Sequence, residues 1–95
     1  MMSEPIKVDV IAVYDCEKMH DRYTVVFDDI ERHVGNIPLY TCLCMSSNPN
    51  SPLGLSEHST CMLGKHLGKR IDYNDLPREI KDHVRNRGYI VNQVE

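Results

Sequence analysis

The chain has 95 residues, a net charge of −3, 41% hydrophobic and 26% charged residues. That length is a single domain's worth, and the composition excludes wholesale disorder. With no Trp and one Phe, its core must be built from Leu, Ile, Val, Met and Tyr, and the acidic balance argues against a general nucleic-acid binder.

Residues 1–5 read as a loose leader ending in a proline. In "IKVDVIAVYD", residues 6–15, Lys7 and Asp9 first alternate with Val8 and Val10. From Val10 to Tyr14 both faces turn apolar, as in a strand covered on both sides. "RYTVVF", residues 22–27, is a second strand, with Tyr23, Val25 and Phe27 on one face and Thr24 and Val26 on the other. The link between them, residues 15–21, is too short for a parallel crossover and predicts an antiparallel hairpin. Residues 28–38 read as a connection in which Asp28 or Asp29 caps a single helical turn that Gly35 ends. "LYTCLCMS", residues 39–46, is a third strand, with Leu39, Thr41, Leu43 and Met45 facing one way and Tyr40, Cys42 and Cys44 the other. Three strands with short links predict an antiparallel meander.

Residues 47–59 form a long polar loop. In residues 60–71, Gly64 and Gly68 argue against a stable helix, so an irregular or short extended segment is expected. "GKHLGKR" lacks the spacing of a phosphate loop. The clearest helix starts at Asp75 as N-cap, with Pro77 in its first turn and Leu76, Ile80 and Val84 as its apolar stripe. Arg85 and Arg87 lie in its last turn, and Gly88 ends it. Residues 89–94 add either a short final strand or a packed tail. The expected fold is a single α+β domain over residues 1–95: a three- to four-stranded antiparallel meander packed with one C-terminal helix.

Charge is uneven along the chain. Residues 1–31 carry eight acids against three bases, and residues 62–88 seven bases against four acids. Such a dipolar layout can steer a charged partner, though two ordinary solvated faces give the same pattern. No apolar run is long enough to cross a membrane and no basic-then-apolar leader is visible, so a cytoplasmic protein with reduced cysteines is expected.

The most metal-like set is Cys42, Cys44, His58 and Cys61, four ligands of the type zinc takes. Its spacing departs from the usual knuckle, because Cys42 and Cys44 share a strand face; burial as small hydrophobes is the plainer reading. Cys61 with His58 or His66, and Cys16 with His20, pair a nucleophile with a base, but neither has an evident orienting group. Lys65, Lys69, Arg70, Arg85 and Arg87 form a basic set suited to phosphate or nucleic acid. Asp28, Asp29 and Glu31 cluster without the spacing of a calcium loop, which favours a solvated or partner-facing acidic edge.

Three separated segments, "IAVYDCEKMHDRYTVVF", "CMSSNPNSPLGLSEHS" and "HLGKRIDYNDLP", resemble in order a group of small uncharacterised proteins encoded by phages and mobile elements. The pattern in that group is V-Y-D-N-G-G-x-T-x-D-R-Y-T-V-V-F, an N-P-x-S-P-x-G loop and H-L-G-K-R-I…D-L-P. The resemblance spans roughly residues 10–78 and carries no assigned catalytic residues. It breaks at Cys16-Glu17-Lys18-Met19-His20, where a glycine turn is expected, so a different turn geometry is predicted here. Small phage proteins of this kind are often accessory factors that disable host machinery, anti-CRISPR proteins among them. The resemblance therefore implies a non-enzymatic inhibitor, without cofactor or direct nucleic-acid contact, that blocks a host protein or ribonucleoprotein complex such as a CRISPR effector. Its expected contact residues are Asp15, Glu17, Asp21, Asp28, Asp29 and Glu31, covering lysines and arginines that otherwise hold phosphates.

Overall fold

The computed structural model describes residues 6–92 of the chain. In order, its elements are β1 (Ile6–Val8), β2 (Val10–Asp15), β3 (Tyr23–Val34), β4 (Ile37–Met45) and β5 (Ser56–Cys61). A 3-10 turn (Lys65–Leu67), β6 (Lys69–Ile71), a second 3-10 turn (Tyr73–Asp75), α1 (Arg78–Asn86) and β7 (Tyr89–Val91) follow. Five strands form an antiparallel sheet in the order β5-β4-β3-β2-β6, and β1 pairs in parallel with β7. The expected α+β meander is therefore its centre, β2-β3-β4, with an added edge strand on each side. The leader expected over residues 1–5 and the end of the 89–94 segment lie outside the described residues. Among the described residues no helix is long and apolar enough to cross a membrane.

The single strand expected over residues 6–15 divides at Asp9, whose carbonyl accepts the Asp28 N–H at 2.8 Å. β1 then pairs with β7, not with the main sheet. An irregularity in the β2–β3 ladder between Val10 and Ala12 puts Val10 and Val13 on one face, as an extra bulge residue does. Ala12 and Tyr14 face the other way. Both faces of the sheet are thus apolar here, as the residues of β2 predicted.

On the first face, Val10, Val13, Tyr23, Val25, Phe27, Leu43 and Met45 pack against Leu76, Ile80 and Val84. The last three are the predicted apolar stripe, and none is more than 3% exposed. Tyr89 stacks on Phe27 with ring centroids 4.5 Å apart, closing the end of this core. On the second face, Ala12, Tyr14, Val26 and Cys42 form a smaller cluster covered in part by Leu67. The alternation expected for residues 22–27 and 39–46 is the one that divides these two clusters.

Three expectations are corrected. Residues 28–38 are not a helical turn. They are the outer half of β3, a turn at Gly35-Asn36 and the start of β4. Gly35 has φ 63°, the left-handed conformation suited to a two-residue hairpin turn. The polar loop of residues 47–59 is shorter than expected, because β5 begins at Ser56. Asp75 is not the helix N-cap. The chain before Pro77 is held extended at Leu76 (ψ 142°), so the helix opens on the Pro77 carbonyl, which accepts from Ile80 and Lys81. Asp75 instead closes the preceding 3-10 turn, its carboxylate accepting the Asp72 N–H at 3.3 Å. Gly88 ends the helix as expected, with φ 100°.

Candidate functional site

Two regions gather the residues singled out by the sequence. The first is the hairpin of β3 and β4. All seven residues of β3 from 28 to 34 are exposed, after five consecutive buried residues from 23 to 27. Asp28, Asp29 and Glu31 stand here beside Ile30 and Val34, and Ile37 follows across the turn; these three apolar side chains are 47%, 58% and 46% exposed. Register shifts around Ile30 bend the strand away from the flat ladder. The Thr41 hydroxyl lies 2.8 Å from Asp29 Oδ2 and 3.5 Å from Glu31 Oε2, so one donor draws both carboxylates together.

The six expected contact acids do not form one patch. Asp15, Glu17 and Asp21 flank the other end of β3, and from Arg22 to Asp28 the chain covers about 20 Å at a strand's rise. Asp15 is also engaged: Arg22 donates to both its oxygens, at 2.7 and 3.0 Å. Glu17 lies 3.6 Å from the same guanidinium. The Asp15 hydrogen bond is the main reason that the Arg22 pKa is raised. The loop of residues 16–22 turns without any positive φ, in line with its lack of glycine. Cys16 and His20 lie in this loop, and no polar contact joins them.

The basic set is also divided. Lys69 and Arg70 are on edge strand β6, and Arg70 donates to the Ile11 carbonyl at 2.8 Å while covering the Tyr14 ring. Arg85 and Arg87 lie at the far end of α1, where Arg87 meets His58 Nδ1 at 3.0 Å.

The second region is a groove of about 480 Å³ on the second sheet face. Cys42, Cys44 and Cys61 line it, with Met62, His66 and Leu67 beside them and Val34, Ile37 and Leu39 from the outer hairpin. Cys42 and Cys44 share one face, as expected, with sulfurs 4.0 Å apart. Cys42 is 1% exposed, whereas Cys44 and Cys61 are partly open. Hydrogen bonds to Cys44 and Cys61, then burial, push the Cys42 thiol well up. The bond from Cys42 lowers the Cys44 pKa against the opposing effect of burial, and Thr24 adds a further lowering bond. Cys61 is lowered by the same Cys42 thiol.

His58 is not with them. It pairs with Leu43, a residue of the helix-side core, and so projects from the opposite face of the sheet. The four residues of the expected zinc set therefore do not converge. Among the described residues, no group of three Cys, His, Asp or Glu is close enough to hold a metal ion.

On the helix side, His58 belongs to a polar seam that sequence reasoning missed. Tyr89 Oη lies 2.7 Å from its Nε2, and Arg87 holds its Nδ1. One step along β5, Ser56 Oγ is 2.6 Å from His83 Nε2, and Asn50 Oδ1 is 3.3 Å from His83 Nδ1. Ser56 and His58 are two apart on β5, and His83 and Arg87 four apart at the end of α1, so the two elements present matching polar rows. This seam fastens the end of α1 to the sheet edge. Burial first, and Arg87 second, lower the pKa of both imidazoles. The only local signal was two histidines at strand and helix spacing, and it means nothing until β5 is known to be a strand.

The chain is thus a small α+β protein with an exposed acidic hairpin and a thiol-lined groove. Comparison with protein-family models, curated proteins and solved structures found no match to it.

Proposed function

We propose that this chain is a binding protein of the phage accessory type, which blocks a host protein or ribonucleoprotein complex in the cytoplasm through its outer hairpin. A CRISPR effector is the target class that the sequence resemblance suggests. The observation that carries the reading is the seven-residue exposed run of β3, with Asp29 and Glu31 drawn together at Thr41 and with Ile30, Val34 and Ile37 exposed on the same hairpin. Exposed apolar side chains gathered on one projecting element can mark an interaction surface. Carboxylates on the same hairpin supply complementarity to a basic partner, such as the lysines and arginines with which an effector holds phosphates. The apolar residues give affinity and the acids give steering and register. Asp15, Glu17 and Asp21 lie too far along β3 to share this footprint, so the contact set narrows to the outer three acids.

The test is capture from a host lysate with the tagged full chain, repeated with Asp28→Lys, Asp29→Lys and Glu31→Lys combined. The reading expects a specific complex with the unaltered chain and its loss with the triple variant. Equal recovery of the same complex by both chains would remove the hairpin from the interface.

A further inference from the structure

We propose that Ser56, His83 and Asn50 form a nucleophile, base and orienting group that cleave small carboxylic esters through an acyl-Ser56 intermediate. The inference goes beyond the hairpin reading and uses none of its residues. It starts from three side chains that the fold brings together from separate places. Ser56 opens β5, His83 lies in α1, and Asn50 sits in the loop between β4 and β5. Ser56 Oγ is 2.6 Å from His83 Nε2, and Asn50 Oδ1 is 3.3 Å from the other ring nitrogen, Nδ1. A serine nucleophile needs this order of contacts: a base within hydrogen-bond reach, and a third group that orients the base.

The contacts also place the protons. The Asn50 amide oxygen only accepts, so His83 Nδ1–H donates to it and Nε2 accepts from the Ser56 hydroxyl. Burial, then Arg87, hold the His83 imidazole below its ordinary pKa, which leaves the ring neutral and able to take a proton at neutral pH.

The backbone supplies a donor where charge develops. The Ser46 N–H donates to the Leu55 carbonyl at 2.8 Å. In the alternating antiparallel ladder the next pair, Met45 and Ser56, is therefore not hydrogen-bonded to each other. The Ser56 N–H thus points away from β4, toward the open side of β5, the outer strand of the sheet. An oxyanion on a carbon bound to Ser56 Oγ finds that donor beside it. Arg87, one helical turn beyond His83, adds a positive charge to the same row, with its Nη2 3.0 Å from His58 Nδ1. Among the described residues no strand pairs with β5 on this side, and so open an approach suits a short acyl group.

The reaction is a hydrolysis in two steps. His83 Nε2 takes the Ser56 proton as Oγ bonds to the ester carbonyl carbon. The bond from that carbon to the alcohol oxygen then breaks, and the alcohol leaves with the proton. In the second step His83 takes a proton from water as the water oxygen bonds to the acyl carbon. The bond to Oγ breaks, the acid departs, and the proton returns to Ser56.

The experiment treats the full chain with an alkyl fluorophosphonate, which a nucleophilic serine captures with loss of fluoride, and measures hydrolysis of para-nitrophenyl acetate alongside. Intact mass and peptide mapping read the label. One label per chain, on Ser56, is expected, and Ser56→Ala should abolish it. His83→Ala should slow labelling at least about a hundredfold, the lower end of general-base catalysis. Asn50 acts through His83, so Asn50→Ala should slow labelling. Asn50→Asp, which keeps the acceptor and adds a charge that stabilises the imidazolium, should restore the rate or exceed it. Ser59→Ala and His20→Ala, at exposed positions elsewhere, should react like the unaltered chain. Circular dichroism checks that each variant keeps the fold. The proposal is overturned if the chain takes no label, if the label falls on a residue other than Ser56, if His83→Ala labels at the native rate, or if Asn50→Asp is as slow as Asn50→Ala. Failure here leaves the hairpin reading untouched, since no hairpin acid is altered.

Discussion

Replacing Ile80 by alanine tests whether α1 is the lid of the main core. Ile80 is 0% exposed and packs among the residues of the first sheet face. The substitution deletes three carbons, worth about 2.4 kcal/mol at about 0.8 kcal/mol each. The cavity left behind raises the cost to about 3–4 kcal/mol, within the range of such truncations. A domain of 95 residues has a total stability of about 5–14 kcal/mol at the usual per-residue values, so a large share is at stake. Equilibrium urea unfolding followed by circular dichroism is the assay. With a slope of about 1.5 kcal/mol per M, the midpoint falls by about 2 M. Val34→Ala is the paired control: Val34 is 58% exposed on the outer hairpin, and its truncation should change stability by less than about 0.5 kcal/mol. A loss under about 1 kcal/mol for Ile80→Ala, or equal losses for the two variants, would refute the assignment of core and outer hairpin.

Two further outcomes follow from the packing. Gly68 has φ 113°, and a Cβ there would meet the Asp15 carbonyl oxygen at 2.6 Å and the Cys16 Cα at 2.8 Å. Gly68→Ala should therefore cost about 2–3 kcal/mol or more, read by the same unfolding assay; a neutral result would mean that β6 does not lie against β2 as described. The seam histidines make stability depend on pH. Their folded pKa values lie below the ordinary 6.5, so the unfolded chain takes up more protons as pH falls through that value. Their contribution is full above about pH 6.5 and is lost on acidification from there toward the folded values. Thermal midpoints measured between about pH 7.5 and about pH 5 should fall more steeply for the native chain than for a His58→Gln, His83→Gln double variant. Parallel curves would remove the histidines from this linkage.

What the sequence revealed depended on whether the signal was local. The faces of residues 22–27 and 39–46 alternate so regularly that both core clusters follow from them, and Leu76, Ile80 and Val84 mark the buried side of α1 before any fold is known. Residues 28–34 hid their strand because both of their faces are exposed, which leaves no apolar alternation to see. The glycine of the Gly35-Asn36 turn serves a hairpin as well as it serves a helix stop, and the residues around it do not separate the two. The start of α1 was misplaced because Pro77 forces Leu76 out of helical geometry, which outweighs the capping preference of Asp75. Pairing of β1 with β7 and the meeting of Ser56 with His83 join residues far apart in the chain, and no local pattern encodes them. The thiol groove was half legible: the shared face of Cys42 and Cys44 follows from strand parity, but the separation of His58 from Cys61 needs the register of β5.

The most direct measurement of the central claim is the affinity of the captured partner for the native chain and for the Asp28→Lys, Asp29→Lys, Glu31→Lys variant, each at low and at physiological salt. The native complex should weaken as salt rises, and the variant should bind at least about tenfold more weakly at low salt, a difference that shrinks when the charges are screened. Equal affinity of the two chains at low salt would contradict that claim.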